Sequence, residues 1–256
     1  MSLREVLEQH AIYLPDDMLE ALLIHRKKQE GRKVQLRLLS EQELAESIEW
    51  MAQIEVFKHI VPLWTDDHSN YVGLYAEGPL AYRLCYINHE ETDLSPVYRN
   101  AASLIAELGQ NPVQDWDQLH KDYPSGGDIS AKQLTEDIRC KNELQAILEK
   151  DSSMEDDVRC QLLYSLMAIT PVSEVDSLLL YVDDEDMYVQ ERACMLLGHH
   201  GYEPATELLK EVVKHGSPNG KLAARKALSM IRAKQMDMRI KKTNQPHIAH
   251  MDGIER

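Results

Sequence analysis

Thirty-one positions after "DVRCQLLYSLMAI" (157–169) the chain reads "YVQERACMLLGHH" (188–200) with its apolar residues in register. Val158 falls on Val189, Leu162 on Ala193 and Leu166 on Leu197. A third copy, "KLAARKALSMIRA", puts Ala223, Ala227 and Ile231 in the same roles. The segments ahead of these copies match as well, since Leu178, Leu179 and Val182 recur as Leu208, Leu209 and Val212. A period near 31 with two amphipathic helices per unit is the signature of an α-solenoid. One helix pair cannot bury its own apolar stripe, so neighbours must stack, and about three units are the fewest that suffice. The all-α region is expected over 130–236, with 130–149 as its first helix.

In pattern and period this region resembles a short array of HEAT-like repeats. The residues before it have a different texture. Pro15 followed by Asp16 and Asp17 opens a helix through Leu19, Leu22 and Leu23, because proline suits a first turn and carboxylates suit its positive end. "KVQLRLLS" alternates Val34, Leu36 and Leu38 and predicts a strand. Ser40 precedes Glu43 by three residues, a capping box that opens a helix to about Met51. "NYVGLYAE" and "YRLCYIN", joined by "EGPL", predict a hairpin, and "NAASLIAELG" predicts a helix ending at Gly109. The expected architecture is therefore an α+β domain with an antiparallel sheet over 1–110, a linker over 111–129, the solenoid, and a loose tail over 237–256. Pro112, Pro124, Gly126 and Gly127 are the linker signals, while Trp116 and Tyr123 suggest that part of it packs.

Charge narrows the function classes. With 28 basic and 43 acidic residues the formal net charge is −15, which disfavours nucleic acid and anionic lipid and favours basic partners. No run of about 18 apolar residues occurs, so no membrane span is expected. The first residues show no secretion signal. Cys85, Cys140, Cys160 and Cys194 form no CxxC pair; they are expected reduced and mostly buried, in a cytoplasmic protein. No metal or other cofactor is expected.

The stretch "LWTDDHSNYVGLYAEGPLAYRLCYINHEETDLSP" (63–96) is where catalysis would be sought. Asp66 and Asp67 are candidate paired acids, with His68 or His89 as base. Neighbouring side chains on extended backbone point to opposite sides, however, so adjacent carboxylates rarely converge. Asp and Asn in such a turn bond to the backbone instead. No HExxH, GxSxG, Walker or GxGxxG pattern is present. The basic run "RKKQEGRK" (26–33) reads as a solvated loop, with phosphate binding as the lesser alternative, and His199-His200 suits the negative end of a helix.

Trp64, Asp66, Asp67, Ser69, Asn70 and Tyr71, then Gly78-Pro79, then His89, Glu90, Asp93 and Pro96 make a pattern that resembles the SUKH superfamily between about Leu14 and Leu108. The branch it is similar to is typified by a fungal regulator of cell-wall assembly and by bacterial immunity proteins. The Asn-Gly that often ends the helix near Leu23 is replaced by "RKKQEGRK". The resemblance implies a non-enzymatic binding domain with no shared catalytic residues, used to neutralise toxins, many of them nucleases, or as a regulatory adaptor. The motif residues are then mainly structural.

Acids concentrate over 151–186, where ten stand against the single base Arg159. Glu155, Asp156 and Asp157 precede one repeat helix, and Asp183, Asp184, Glu185 and Asp186 precede the next. One acid before a helix is a cap; three or four exceed capping needs. The first reading of the clusters is as caps that complement the helix dipole, and the alternative is an acidic ridge for a basic protein partner. "DDED" lacks the spaced ligands and glycine of a calcium loop. The expected function is that of an immunity protein, with a scaffold or adaptor as the alternative. An enzyme such as a HEAT-like DNA glycosylase or a lyase is the least favoured reading, because the repeats are acidic and nearly free of Trp and Phe.

Overall fold

In a computed structural model, residues 1–90, 92–125, 129–151 and 153–243 are described. They divide into two compact units, Met1–Glu174 and Val175 onward.

The first unit is α+β. Helices α1 (Leu3–Gln9) and α2 (Asp16–Gln29) lead to β1 (Arg37–Leu38), α3 (Glu41–Met51), β2 (Ile60–Thr65), β3 (Tyr71–Tyr75), β4 (Leu84–Ile87), β5 (Pro96–Tyr98) and α4 (Ala101–Gln110). The sheet runs in chain order, β1-β2-β3-β4-β5, with every pair antiparallel. Leu7, Leu22, Leu36, Leu63, Trp64, Leu74, Leu84, Tyr98 and Leu104 form the main core. Met51, Ile60, Cys85, Ile87 and Leu94 make a second cluster.

The capping box of Ser40 and Glu43 forms as expected, with reciprocal bonds that start α3. The same device, Ser2 with Glu5, starts α1, an element not anticipated. β2 is a further element that the sequence pattern does not announce. It contains Pro62, which cannot donate to the ladder, and the register slips between Pro62 and Trp64. That bulge lets both Leu63 and Trp64 join the main core. The strand expected over "KVQLRLLS" shrinks to two residues. Gly109 lies inside α4, which ends at Gln110. Of the basic run, Arg26–Gln29 belong to α2, where Arg26 pairs with Glu41 and bonds the Leu39 carbonyl.

The stretch 111–129 differs from a linker. Leu119 and Tyr123 are buried, and the amides of Asp122 and Tyr123 donate to the Val97 carbonyl. Gly126 and Gly127 lie outside the described residues. Helices α5 (Ala131–Lys150) and α6 (Asp156–Ile169) follow, and both belong to the first unit. Their attachment is polar as well as apolar. Asp137 of α5 is fully buried and accepts from Arg99 Nη1 on both oxygens at 2.6 Å and from the Tyr123 hydroxyl at 2.5 Å. Arg83 Nε donates to the same hydroxyl at 3.2 Å. Gln161 of α6 uses its amide as a strand would, accepting from Leu94 N (2.8 Å) and donating to Thr92 O (2.9 Å). The boundary between units therefore lies far beyond the expected one, at Glu174, whose backbone breaks the 3-10 helix Val172–Tyr181.

The second unit holds α7 (Met187–His200), α8 (Thr206–His215) and α9 (Pro218–Thr243). The repeat positions Val189, Ala193, Leu197, Ala223, Ala227 and Ile231 are buried, and α7 packs on α9. Gly198 allows the approach, because a Cβ there would stand 2.5 Å from Ala227 Cα. Gln190 brackets the unit, donating to Val182 O at 2.9 Å and accepting from Ser217 N and Oγ at 2.9 and 2.8 Å. Residues 237–243, expected in the tail, continue α9, and 244–256 lie outside the described residues.

Candidate functional site

β2 ends at Thr65, and the turn that follows is built from its own polar atoms. Asp66 Oδ1 accepts from the amides of His68 (2.8 Å) and Asn70 (3.2 Å), and Oδ2 accepts from Asn70 Nδ2 (2.7 Å). Thr65 Oγ1 accepts from Asp67 N and donates to Asn70 O, both at 3.1 Å. Asp67 and Ser69 take positive φ, 63° and 68°, which short polar side chains tolerate. Tyr71 then opens β3 opposite Thr65. This is the backbone-bonding turn expected from the residue types.

The two aspartates part company. Asp67 turns to Arg37 of β1, which donates to it from Nη2 at 2.6 Å and from Nε at 3.0 Å. The same guanidinium holds Glu43 at 2.7 and 2.9 Å. A carboxylate–guanidinium–carboxylate bridge thus ties the turn to the start of α3. Glu43 is held at about 2, first by Arg37 and against its own desolvation, with Ser40 adding to the effect. Arg37 is raised in turn.

Asp66 faces the other way. Asn70 passes its orientation on, because Asn70 Oδ1 accepts from His89 N at 3.2 Å and from His89 Nδ1 at 2.8 Å. Asp66, Asn70 and His89 therefore form a chain that sets the imidazole over an open cleft of about 320 Å³. Glu90, Asp115 and Asp117 also line it, together with Tyr86 and Trp116. The last two rings stack with centroids 4.3 Å apart and 12° between planes. Burial, then Asp66 and Asp117, pushes the Tyr86 hydroxyl up to about 12. Asp115, Trp116 and Asp117 were missed as site residues because they sit in the supposed linker. The one signal was Trp116, a large aromatic amid turn formers.

The remaining motif residues are structural supports. Trp64 is fully buried in the core, its ring centroid 6.3 Å from that of His25. Gly78 takes φ 76° at the tip between β3 and β4, a conformation that favours glycine. Pro79 O accepts from Cys140 Sγ of α5 at 3.0 Å. Asp93 Oδ1 accepts from Ser95 N at 3.0 Å, just before Pro96 opens β5 opposite Cys85. Cys85, Cys140 and Cys194 are buried, Cys160 half-buried, and all four are free thiols.

The acidic residues ahead of the repeat helices divide by task. In the second unit Asp186 caps α7, accepting from Tyr188 N and Val189 N at 2.8 and 3.0 Å. Asp184 accepts from Asp186 N at 3.0 Å, so it also shapes the turn. Asp183 and Glu185 stay exposed. In the first unit Glu155 occupies the cap position of α6 without a side-chain cap bond, and Glu155, Asp156 and Asp157 are all exposed. The two clusters lie in separate units. Among the described residues no group of three or more His, Cys, Asp or Glu is placed to hold a metal ion, and no helix is long and apolar enough to cross a membrane.

Comparisons of the chain with protein-family models, with curated proteins and with solved structures return no match.

Proposed function

We propose that this chain is a non-enzymatic, cytoplasmic protein-binding protein whose partner is basic, and that it acts as an immunity protein against a nuclease-type toxin. In this reading the α+β part of the first unit, from about Leu14 to Leu108, is a SUKH-type domain, and the helices that follow it in each unit are of HEAT-like repeat type. The motif residues of the "TDDHSN" turn support the first assignment, since each has a structural task that the pattern requires. The burial of equivalent repeat positions on α7 and α9, and their packing, support the second.

The observation that carries the function is the acidic, aromatic-walled cleft of the first unit. Asp66, Glu90, Asp115 and Asp117 surround a stacked Tyr86–Trp116 pair. Carboxylates beside this pair suit a guanidinium or ammonium group by charge–charge attraction, and the chain's own Lys121 ammonium already lies over the Trp116 ring, 4.9 Å from its centroid. A nuclease groove is rich in such groups because it must hold phosphates. Occupying it with carboxylates excludes nucleic acid, and electrostatic steering makes the encounter fast and salt-sensitive. Glu155, Asp156 and Asp157 are further exposed acids of the same unit.

Affinity capture from the native host, with identification of what is retained, tests the reading. The expected product is a basic protein that is toxic alone and harmless when co-produced with this chain. Asp115→Lys/Asp117→Lys is expected to abolish protection, and Asp156→Lys/Asp157→Lys to weaken binding at low salt. Retention only of non-toxic partners whose binding ignores all four changes would overturn it and leave a scaffold that joins two other proteins.

A further inference from the structure

The second unit carries a surface of opposite sign to the rest of the molecule. From Leu208 to Thr243 the sequence has ten basic residues (Lys210, Lys214, Lys221, Arg225, Lys226, Arg232, Lys234, Arg239, Lys241, Lys242) against Glu211 and Asp237. Part of that charge is gathered at a groove of about 420 Å³ formed by α8 and α9. Lys210, Lys214, Arg225 and Arg232 line it together with the aliphatic side chains of Val213 and Leu228.

The four cations differ in how they are committed. Lys210 and Lys214 pair with Glu207 and Glu211 on their own helix, each at 2.6 Å. These pairs are solvent-exposed, so they hold the lysines weakly and leave each ammonium with further donors. Arg225 and Arg232 are exposed and have no hydrogen-bond or ion-pair partner among the described residues. They stand seven residues apart on α9, two helical turns or about 10 Å along one face. Met236, four residues beyond Arg232, continues that face and is 63 % exposed. The groove thus alternates guanidinium and ammonium groups with aliphatic surface at helical spacing.

We propose that this groove docks an acidic amphipathic helix of a partner protein. The aliphatic residues of that helix would lie against Val213, Leu228 and Met236, and carboxylates one and two turns apart would reach the lysines and arginines. A helix laid in a groove between two helices is a recurrent recognition mode, read through anchors at such spacings. Carboxylates match the bidentate fork of Arg225 and Arg232. The aliphatic lining favours a peptide over a phosphodiester chain, which has no apolar group to place there. The net charge of −15 opposes a long polyanion as well. This surface is independent of the cleft proposed above, and of opposite charge.

The test uses the full chain and a labelled synthetic helix of about 18 residues, long enough to run along most of α9. Its glutamates and leucines follow the groove spacing; one analogue replaces the glutamates by glutamine and another the leucines by serine. Saturable binding is expected, lost with either analogue and weakened at least about tenfold by Arg225→Glu/Arg232→Glu. Arg225→Gln/Arg232→Gln should lose less, and circular dichroism should show both variants folded. Asp115→Lys/Asp117→Lys should leave peptide binding intact, which separates failure here from failure of the proposed function. Equal binding of the serine analogue would overturn the proposal, because it would show charge alone at work. Tighter arginine-dependent binding of a DNA duplex or of phosphatidylserine vesicles would overturn it too. So would arginine-dependent self-association in sedimentation with no peptide binding.

Discussion

Replacing Asp137 by alanine should cost the first unit more than any surface change. The carboxylate has no exposure, while the Arg83 and Arg99 side chains retain 10 % and 9 %. Asp137 is the anion that faces both guanidiniums, with Arg99 Nη1 at 2.6 Å and Arg83 Nη2 at 3.6 Å. Without it, two nearly buried cations keep, among the described residues, the Tyr123 hydroxyl and the Pro79 carbonyl as acceptors, at 3.0 to 3.4 Å. Removing one partner of a buried pair costs about 3–5 kcal/mol, chiefly by stranding the other charge. With a urea m-value of about 2 kcal/mol per M, the midpoint should fall by roughly 1.5–2.5 M. Tryptophan emission reads this unit selectively, because Trp50, Trp64 and Trp116 all precede residue 174. A cycle with Arg99→Met should show coupling of about 2 kcal/mol or more. A midpoint shift below about 0.5 M would mean the pair is worth no more than a surface pair. The claim that this cluster clamps α5 and 111–129 onto the sheet would then fail.

Further outcomes follow from the same geometry. His25 is buried beside Trp64 and pushed down to about 4, first by desolvation and then by Lys28. The unfolded chain therefore binds the proton more readily, so the stability tied to this group is complete above about pH 6.5 and is lost as pH falls toward 4. Urea midpoints by tryptophan emission should fall over that window, and His25→Gln should flatten the slope. Asp66→Ala removes the acceptor of the His68 and Asn70 amides, one exposed and one part-buried, and should cost about 0.5–1.5 kcal/mol by urea unfolding, whereas Asp67→Ala removes an exposed pair and should cost about 0–0.5 kcal/mol. Gly198→Val drives a side chain into the Ala227 backbone and should cost about 1–3 kcal/mol or more, read as lost amide-exchange protection over α7 and α9.

What the chain reveals before folding is local chemistry. Ser40 with Glu43, Pro15 at the start of α2 and the "TDDHSN" turn are decided within a few residues, and all are legible. The repeat register is legible only in part: Val189, Ala193, Ala223 and Ala227 are buried at the same spacing, but Val158 and Leu162 of the first copy are half-buried and Leu208 is exposed where its counterpart Leu178 is buried. The unit boundary is not. It depends on Arg83 and Arg99 meeting Tyr123 and Asp137, and on Gln161 meeting Thr92 and Leu94, contacts between single residues far apart in the chain. No periodicity marks them, and the prolines and glycines of 111–129 read as a linker whether or not the segment packs. The acid–aromatic cleft was hidden for the same reason, since half of it comes from that segment.

The acids ahead of α6 and α7 show how far capping arguments reach. One carboxylate, Asp186, meets two of the free amides at the start of α7, and Asp184 fixes the turn that presents it. Asp183 and Glu185 add charge with no such task among the described residues, and at α6 the cap position itself makes no side-chain bond. Like charges held this close repel, so each surplus acid costs the folded state something in water. A folded chain that keeps them, and keeps four more carboxylates around the Tyr86–Trp116 pair, presents acidic surface that would attract a cationic one. Folding of the free protein should accordingly strengthen with added salt, while its hold on the proposed basic partner loosens, two opposite salt slopes from one set of side chains.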